Sequence, residues 1–352
     1  MRVLLWMIAG GDKIPGGHQV QMKQTSRHLK ALGVDIDVSF EDAPDIKGYD
    51  LVHGFGLRPT ELRACRQKGL PIALSTIYNS RAYTTGKHES GRQVEKWKFR
   101  SRMGLVLLRS ALQGKHLEKC EAVAEWVQHI QVRYEMADIL LPNSHLEAET
   151  IQREVRVTTP MHVVPNAVDH RQFIIEEQDL DARKGVLFAG RFEPHKNQLG
   201  LIEAMRGSDI PMVLVGPPHP DHNAYYQECR RRATKNITLL PGVPHDELAS
   251  LYNAAKVHVL PSWYETTGLV SLEAALCGCN VVTTERGFTR EYFQDMAWYC
   301  DPSKPSSISH AVEEAYRSEF RVDLQKRILE NFTWEHTAQA TVEAYTKVLS
   351  AR

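Results

Sequence analysis

The chain has 352 residues, and its 43 Lys plus Arg balance 43 Asp plus Glu to a formal net charge of zero. That neutrality gives no whole-molecule field to attract a nucleic-acid backbone, and the length exceeds what a single ordinary core fills, so two domains are the natural division. Six cysteines with no Cys-x-x-Cys pair argue against a zinc or disulfide framework and for a reducing cytoplasm.

Met1 to Ala9 is apolar but short and runs into Gly10-Gly11-Asp12, so it reads as a first buried strand rather than a leader. No run approaches the ~18 apolar residues of a spanning helix. A cytoplasmic protein is expected, at most peripheral at the inner membrane surface. Short Val/Ile/Leu runs then predict strands near 2–9, 34–38, 50–53, 71–75, 137–141 and 161–164. Gly16-Gly17-His18-Gln19 opens a helical pattern through Met22, Leu29 and Leu32 that stops at Gly33. Gly16 and Gly17 allow close backbone approach to the phosphates of a ligand or to a second substrate. His18 is either a contact there or simply exposed, and His53, at the end of the 50–53 strand, is either cleft-facing or structural. The glycines lack the Gly-x-Gly-x-x-Gly spacing of a nicotinamide-binding loop.

Between Glu89 and Cys120 lies the most basic helical stretch, with Lys96, Lys98, Arg100 and Arg102 among apolar residues. It reads first as an ordinary wet helix face and second as a dock for anionic lipid or a charged acceptor. The polar stretch Asp169 to Lys184 is the expected join between domains. After it the strand pattern restarts at 185–190, 211–216, 237–240, 257–260 and 280–283. Such alternation implies α/β architecture with two doubly wound parallel-sheet domains facing across a cleft, residues 1–168 and 183–332.

The second domain carries the chemistry. Arg191 and Lys196 flank a strand-to-helix loop, where two cations neutralise a diphosphate. Leu240-Pro-Gly-Val-Pro-His-Asp-Glu-Leu248 offers Val243 to a nucleobase, or is an ordinary turn with Asp246 as helix cap. In Pro261-Ser-Trp-Tyr-Glu-Thr-Thr-Gly-Leu-Val-Ser-Leu-Glu273 a loop feeds a helix, and the amides of Thr267, Gly268, Leu269 and Val270 are first-turn donors for a phosphate. No Asp-x-Asp stands in a suitable loop, so neither a metal nor another cofactor is expected.

Glu265 and Glu273, eight positions apart, with Gly190-Arg191 and Lys196-Asn197 upstream, resemble the E-x7-E and donor-phosphate motifs of retaining family 4 glycosyltransferases. The resemblance implies the GT-B fold, two Rossmann-like domains, with a terminal helix, here 333–352, crossing back to the first. It implies that Glu273 holds the nucleotide ribose, that Glu265 lies beside the donor sugar, and that Arg191 and Lys196 stabilise the leaving diphosphate. Where the family commonly has Glu-Gly-Phe-Gly this chain has Glu265-Thr-Thr-Gly268. Where many members have Thr-x-His, Ser75-Thr-Ile-Tyr78-Asn79 has no histidine, and Tyr78 or Asn79 takes the polar contact. The implied activity is metal-independent transfer of a sugar from a UDP- or GDP-type donor to a hydroxyl of a glycan, lipid-linked or other acceptor. A GT-B nucleotide-sugar epimerase and a non-catalytic sugar-nucleotide binder are the alternatives.

Overall fold

The computed structural model describes residues 1–8, 16–80, 127–176, 180 and 183–351. They form two compact units, one from within Met1–Arg81, Leu108–Ala167 and Phe332–Arg352, the other from within Val168–Asn331. The basic stretch 89–120 lies outside the described residues.

In the first unit β1 (Arg2–Met7), β2 (Asp35–Ser39), β3 (Leu51–Phe55), β4 (Ile72–Ser75) and β5 (Ile139–Leu141) make one parallel sheet in the order β2-β1-β3-β4-β5. Alternate residues of a strand point to opposite faces, and β1 shows the result directly. Val3, Leu5 and Met7 join a core with Met22 and Leu29 of α1 (Gly17–Ala31) and Ala344 and Tyr345 of α11 (Trp334–Ser350). Leu4 and Trp6 join another with Leu62 and Cys65 of α2 (Pro59–Gln67) and Ile151 of α3 (His145–Glu154). Both faces are thus covered, as the unbroken apolar strands require. At the start of α11 the amide of Thr333 donates to His336 Nδ1 at 3.4 Å, so an imidazole fills the place a glutamate takes in a capping box. The strand expected at 161–164 reduces to a single bridge between Leu140 and Met161. Pro160 and Pro165 bracket it and lack the donors to extend a ladder.

The second unit holds β6 (Val186–Ala189), β7 (Met212–Val215), β8 (Ile237–Leu240), β9 (Val257–Leu260), β10 (Asn280–Thr284) and β11 (Trp298–Cys300), parallel and ordered β11-β10-β9-β6-β7-β8. Three residues are too few for β11 to show in periodicity. One face packs Phe188, Val257 and Val259 on Leu201 and Ile202 of α4 (Gln198–Ala204), Tyr225 and Cys229 of α5 (Asn223–Arg232) and Ile308 and Val312 of α9 (Pro305–Arg317). α6 (Leu248–Ala254) sets Tyr252 edge-on to His258, 5.7 Å between ring centres. α7 (Leu269–Leu276), α8 (Thr289–Phe293) and α10 (Val322–Asn331) complete the unit. The polar stretch read as a join packs on it: Asn253 donates to the Ile174 carbonyl at 3.0 Å and accepts from the Glu176 amide at 3.0 Å. Among the described residues no helix is long and apolar enough to cross a membrane.

His53 lies inside the first unit, 2% exposed, with Nδ1 2.7 Å from the Tyr345 hydroxyl and Nε2 2.9 Å from Ser75 Oγ. Burial pulls its imidazole from 6.5 down to about 3. The unfolded chain therefore takes up a proton below pH 6.5 that the folded chain refuses, so the stabilising contribution of neutral His53 is complete above 6.5 and is lost as pH falls toward 3. His53→Gln is expected to flatten the decline of the urea-unfolding midpoint between about pH 6.5 and about pH 4. A slope equal to that of the wild type would show that His53 is protonated in place.

Candidate functional site

The chain leaves β6, builds β7 and β8 on one side, and returns to place β9 on the other, with Val186 opposite Val257 and Leu187 opposite His258. This reversal is a topological switch point, where the loops after two adjacent strands diverge and leave room for a ligand. The loop after β6 carries Arg191 and Lys196, and the loop after β9 carries Glu265.

Close backbone contact shapes both loops. A Cβ on Gly216, after β7, would lie 2.0 Å from the Gly190 carbonyl oxygen, so only glycine lets these strand exits meet. Past Arg191, a single turn at Pro194–Lys196 ends at Asn197 in the left-handed region, φ 59°. Its side-chain Nδ2 donates to the carbonyls of Pro261 at 3.2 Å and Pro302 at 2.9 Å, and the Trp263 backbone amide donates to the His195 carbonyl at 2.9 Å. These bonds stitch the β6 loop to the β9 loop. The Glu265 amide in turn donates to the Arg286 carbonyl at 2.8 Å, and the Phe288 amide to the Glu265 carbonyl at 2.9 Å. Gly287 stands between, at φ 119°, where a Cβ would come within 2.0 Å of the Glu265 oxygen.

Within this frame Lys196 Nζ donates to Glu265 Oε2 at 2.8 Å, with both side chains largely buried. Burial alone would raise the Glu265 carboxyl, but Lys196 and His195 outweigh it and hold the group below its ordinary value. Glu265 is therefore a carboxylate at neutral pH. Arg191 sits in the same loop, its guanidinium 3.4 Å from Glu193 and its carbonyl accepting from Gln198 at 2.6 Å.

α7 begins at Leu269, after Gly268 at φ 77°, so Thr267 and Gly268 precede the helix. The Ser271 and Leu272 amides bond the Gly268 carbonyl at 2.8 and 3.2 Å. The first-turn donors expected over 267–270 thus narrow, within the helix, to Leu269 and Val270. Ser271 Oγ, buried beside Gly268, has no hydrogen-bond partner among the described residues, a feature with no local sequence signal.

Glu273, one turn further along, is 5% exposed. His245 Nε2 lies 2.9 Å from its Oε1, and the Tyr252 hydroxyl donates to Oε2 at 3.2 Å. The bond to Glu273 raises the His245 imidazole above its usual value against the opposing effect of burial. Both partners lie in segments separate from residues 265–273, so no local signal links them to Glu273. Asp246 does not cap α6, which starts at Leu248 after a Glu247 with helical backbone and no side-chain bond. Val243 is half-buried in the same turn.

In the first unit Gly16 is the N-cap of α1, its carbonyl accepting from the Gln19 amide at 3.0 Å, with Gly17 the first helical residue and His18 exposed. Two acceptor-side candidates need correction. His53 is sealed inside the core with both nitrogens engaged, and Tyr78 is 2% exposed with its hydroxyl donating to Glu154 at 2.8 Å. Both belong to the framework. Asn79, next in the chain, is exposed.

Gly287→Ala is expected to cost roughly 3 kcal/mol or more, because a Cβ against a carbonyl oxygen at positive φ forces the two loops apart. The check is the unfolding midpoint. A wild-type value would show that the Glu265 loop does not depend on that contact.

Residues 170–332 match the family described as Glycosyl transferases group 1. The O-antigen chain mannosyltransferase B of Escherichia coli is 30% identical over 183 residues, 49% of this chain and 48% of that protein. The match thus spans about half the length of that relative. The D-inositol 3-phosphate glycosyltransferase of Rhodococcus opacus is 25% identical over 390 residues, 94% of this chain and 85% of that one. Among solved structures, the sucrose-phosphate synthase of Thermosynechococcus elongatus superposes with a TM-score of 0.75 at 18% identity, covering 100% of both chains. HepE of Anabaena in complex with UDP gives 0.71 at 15% identity, over 99% of this chain and 100% of that one. The protein thus has the GT-B fold, two Rossmann-like parallel-sheet units, and its residues 170–332 are similar to the glycosyl transferases group 1 family.

Proposed function

We propose that the chain is a retaining glycosyltransferase, moving a sugar from a nucleoside-diphosphate donor to an acceptor hydroxyl. The observation that carries this reading is the Lys196–Glu265 contact at the switch point, beside the start of α7. Breaking a glycosidic bond to a diphosphate leaves negative charge on the phosphates and positive character on the sugar carbon. Lys196, Arg191 and the amides of Leu269 and Val270 supply the complement to the first. Glu265, held ionised, is an acceptor for sugar hydroxyls and a counter-charge to the second, and an ionised carboxylate cannot serve as a general acid. Glu273 takes the ribose hydroxyls. Front-face attack and a covalent intermediate are both open to this site.

The UDP named for HepE, and the UDP-glucose of a further HepE structure with a TM-score of 0.71, put uridine donors first to be tried. Glycan and lipid-linked alcohols are the acceptors to array.

Lys196→Ala and Glu265→Gln should each lower kcat by about 10²- to 10³-fold, the usual cost of removing one charge-stabilising group, with a smaller change in donor KM. Product anomeric configuration by NMR checks retention. Conversion of donor into a sugar isomer without acceptor, or undiminished turnover in Glu265→Gln, would overturn the reading.

A further inference from the structure

We propose that His245 is a positioning residue which, with Tyr252, fixes the Glu273 carboxylate as a two-point acceptor for a vicinal ribose diol, making the site selective for ribonucleoside over 2′-deoxyribonucleoside diphosphates. This rests on the nucleotide-sugar reading above and adds to it a residue and a selectivity.

An ionised carboxylate offers about four lone-pair positions. His245 Nε2 takes one on Oε1 at 2.9 Å, and the Tyr252 hydroxyl takes one on Oε2 at 3.2 Å. Each oxygen keeps one position for a ligand donor, and the pair matches two adjacent hydroxyls. Glutamate on its own has three rotatable bonds, and ordering them on binding would consume much of what two hydroxyl contacts provide. Here the ordering is done in advance from two sides.

The clamp is itself supported. Gln172 donates to the His245 carbonyl at 3.1 Å and stands 3.5 Å from Nδ1. The edge of Phe173 meets the ring at 5.2 Å between centres. Tyr252 is fully buried and packed against Phe173 and His258, so its hydroxyl has a fixed direction. His245, by contrast, is 42% exposed, at the rim of the buried carboxylate where a ligand hydroxyl would arrive.

A nucleotide lacking the 2′-hydroxyl leaves one oriented carboxylate position unpaired, a loss typical of a hydrogen bond to a charged group. The test is calorimetric titration of the full chain with UDP and 2′-deoxy-UDP, repeated for the guanosine and adenosine pairs. For the preferred base, wild type should bind the ribo form about 10- to 100-fold more tightly. In His245→Ala the ratio should fall to roughly 3-fold or less, mainly by weakening the ribo form, and His245→Gln should recover part of it. Should the alanine variant not fold, Tyr252→Phe carries the same comparison. Equal weakening of both nucleotides in His245→Ala would mark a merely structural role and overturn the proposal, as would a wild type that binds both forms alike. Failure of the wild type to bind any of the diphosphates would overturn the glycosyltransferase reading as well.

Discussion

Lys196 and Glu265 are 69 positions apart in sequence, and their contact is the constraint to which the rest of the second unit is fitted. A lone carboxylate or ammonium at that depth would be strongly disfavoured by desolvation, so each needs the other in place. The ordering of strands supplies the neighbourhood, since only a sheet that reverses between β6 and β9 brings those two loops together. Glycine at 216 and 287 and the left-handed Asn197 then remove the last freedom in the backbone. A charged pair formed in this way is ready for a second anion: the ammonium retains donors beyond the one given to Glu265.

Glu273 shows a different solution to the same problem. Among the described residues no Lys or Arg pairs with it, and it is held by a titratable ring at the rim and a buried phenol behind. The two glutamates of one motif therefore sit in distinct electrostatic surroundings. One is paired with an ammonium, the other is steadied by donors, a contrast that supports the division we propose between phosphate-side chemistry and ribose recognition.

Most of the secondary structure was legible because fully buried parallel strands are continuous apolar runs, and β1, β6 and β9 could hardly be read otherwise. What escaped were features with no local signal. The edge strand β11 is too short, the 161–164 run is interrupted by proline chemistry, and the start of α7 shifts because Gly268 takes a left-handed turn before the helix. Arg191, Lys196 and both glutamates were visible as motifs, but the pairing was not, since Lys196 and Glu265 belong to separate motifs and His245 to a third segment. The same limit explains His53 and Tyr78. His53 stands in the middle of β3 and not at its end, Tyr78 lies three residues past β4, and nothing in the local sequence told that Tyr345 and Glu154 would claim their polar atoms.

Arg183 seats its guanidinium on the last turn of α7, Nη1 donating to the Cys277 carbonyl at 2.5 Å and Nη2 to Asn253 at 2.9 Å, while a Cβ on Gly278 would crowd it at 2.9 Å. With Gly268 closing the opposite end, the helix is clamped along its axis and has a set number of turns. An insertion or deletion of one residue within it would rotate Glu273 by about 100° away from its partners, since neither end can slide to absorb the change. The eight-residue spacing between the glutamates is in that sense a gauge length, one that a substitution keeping the helical register leaves whole.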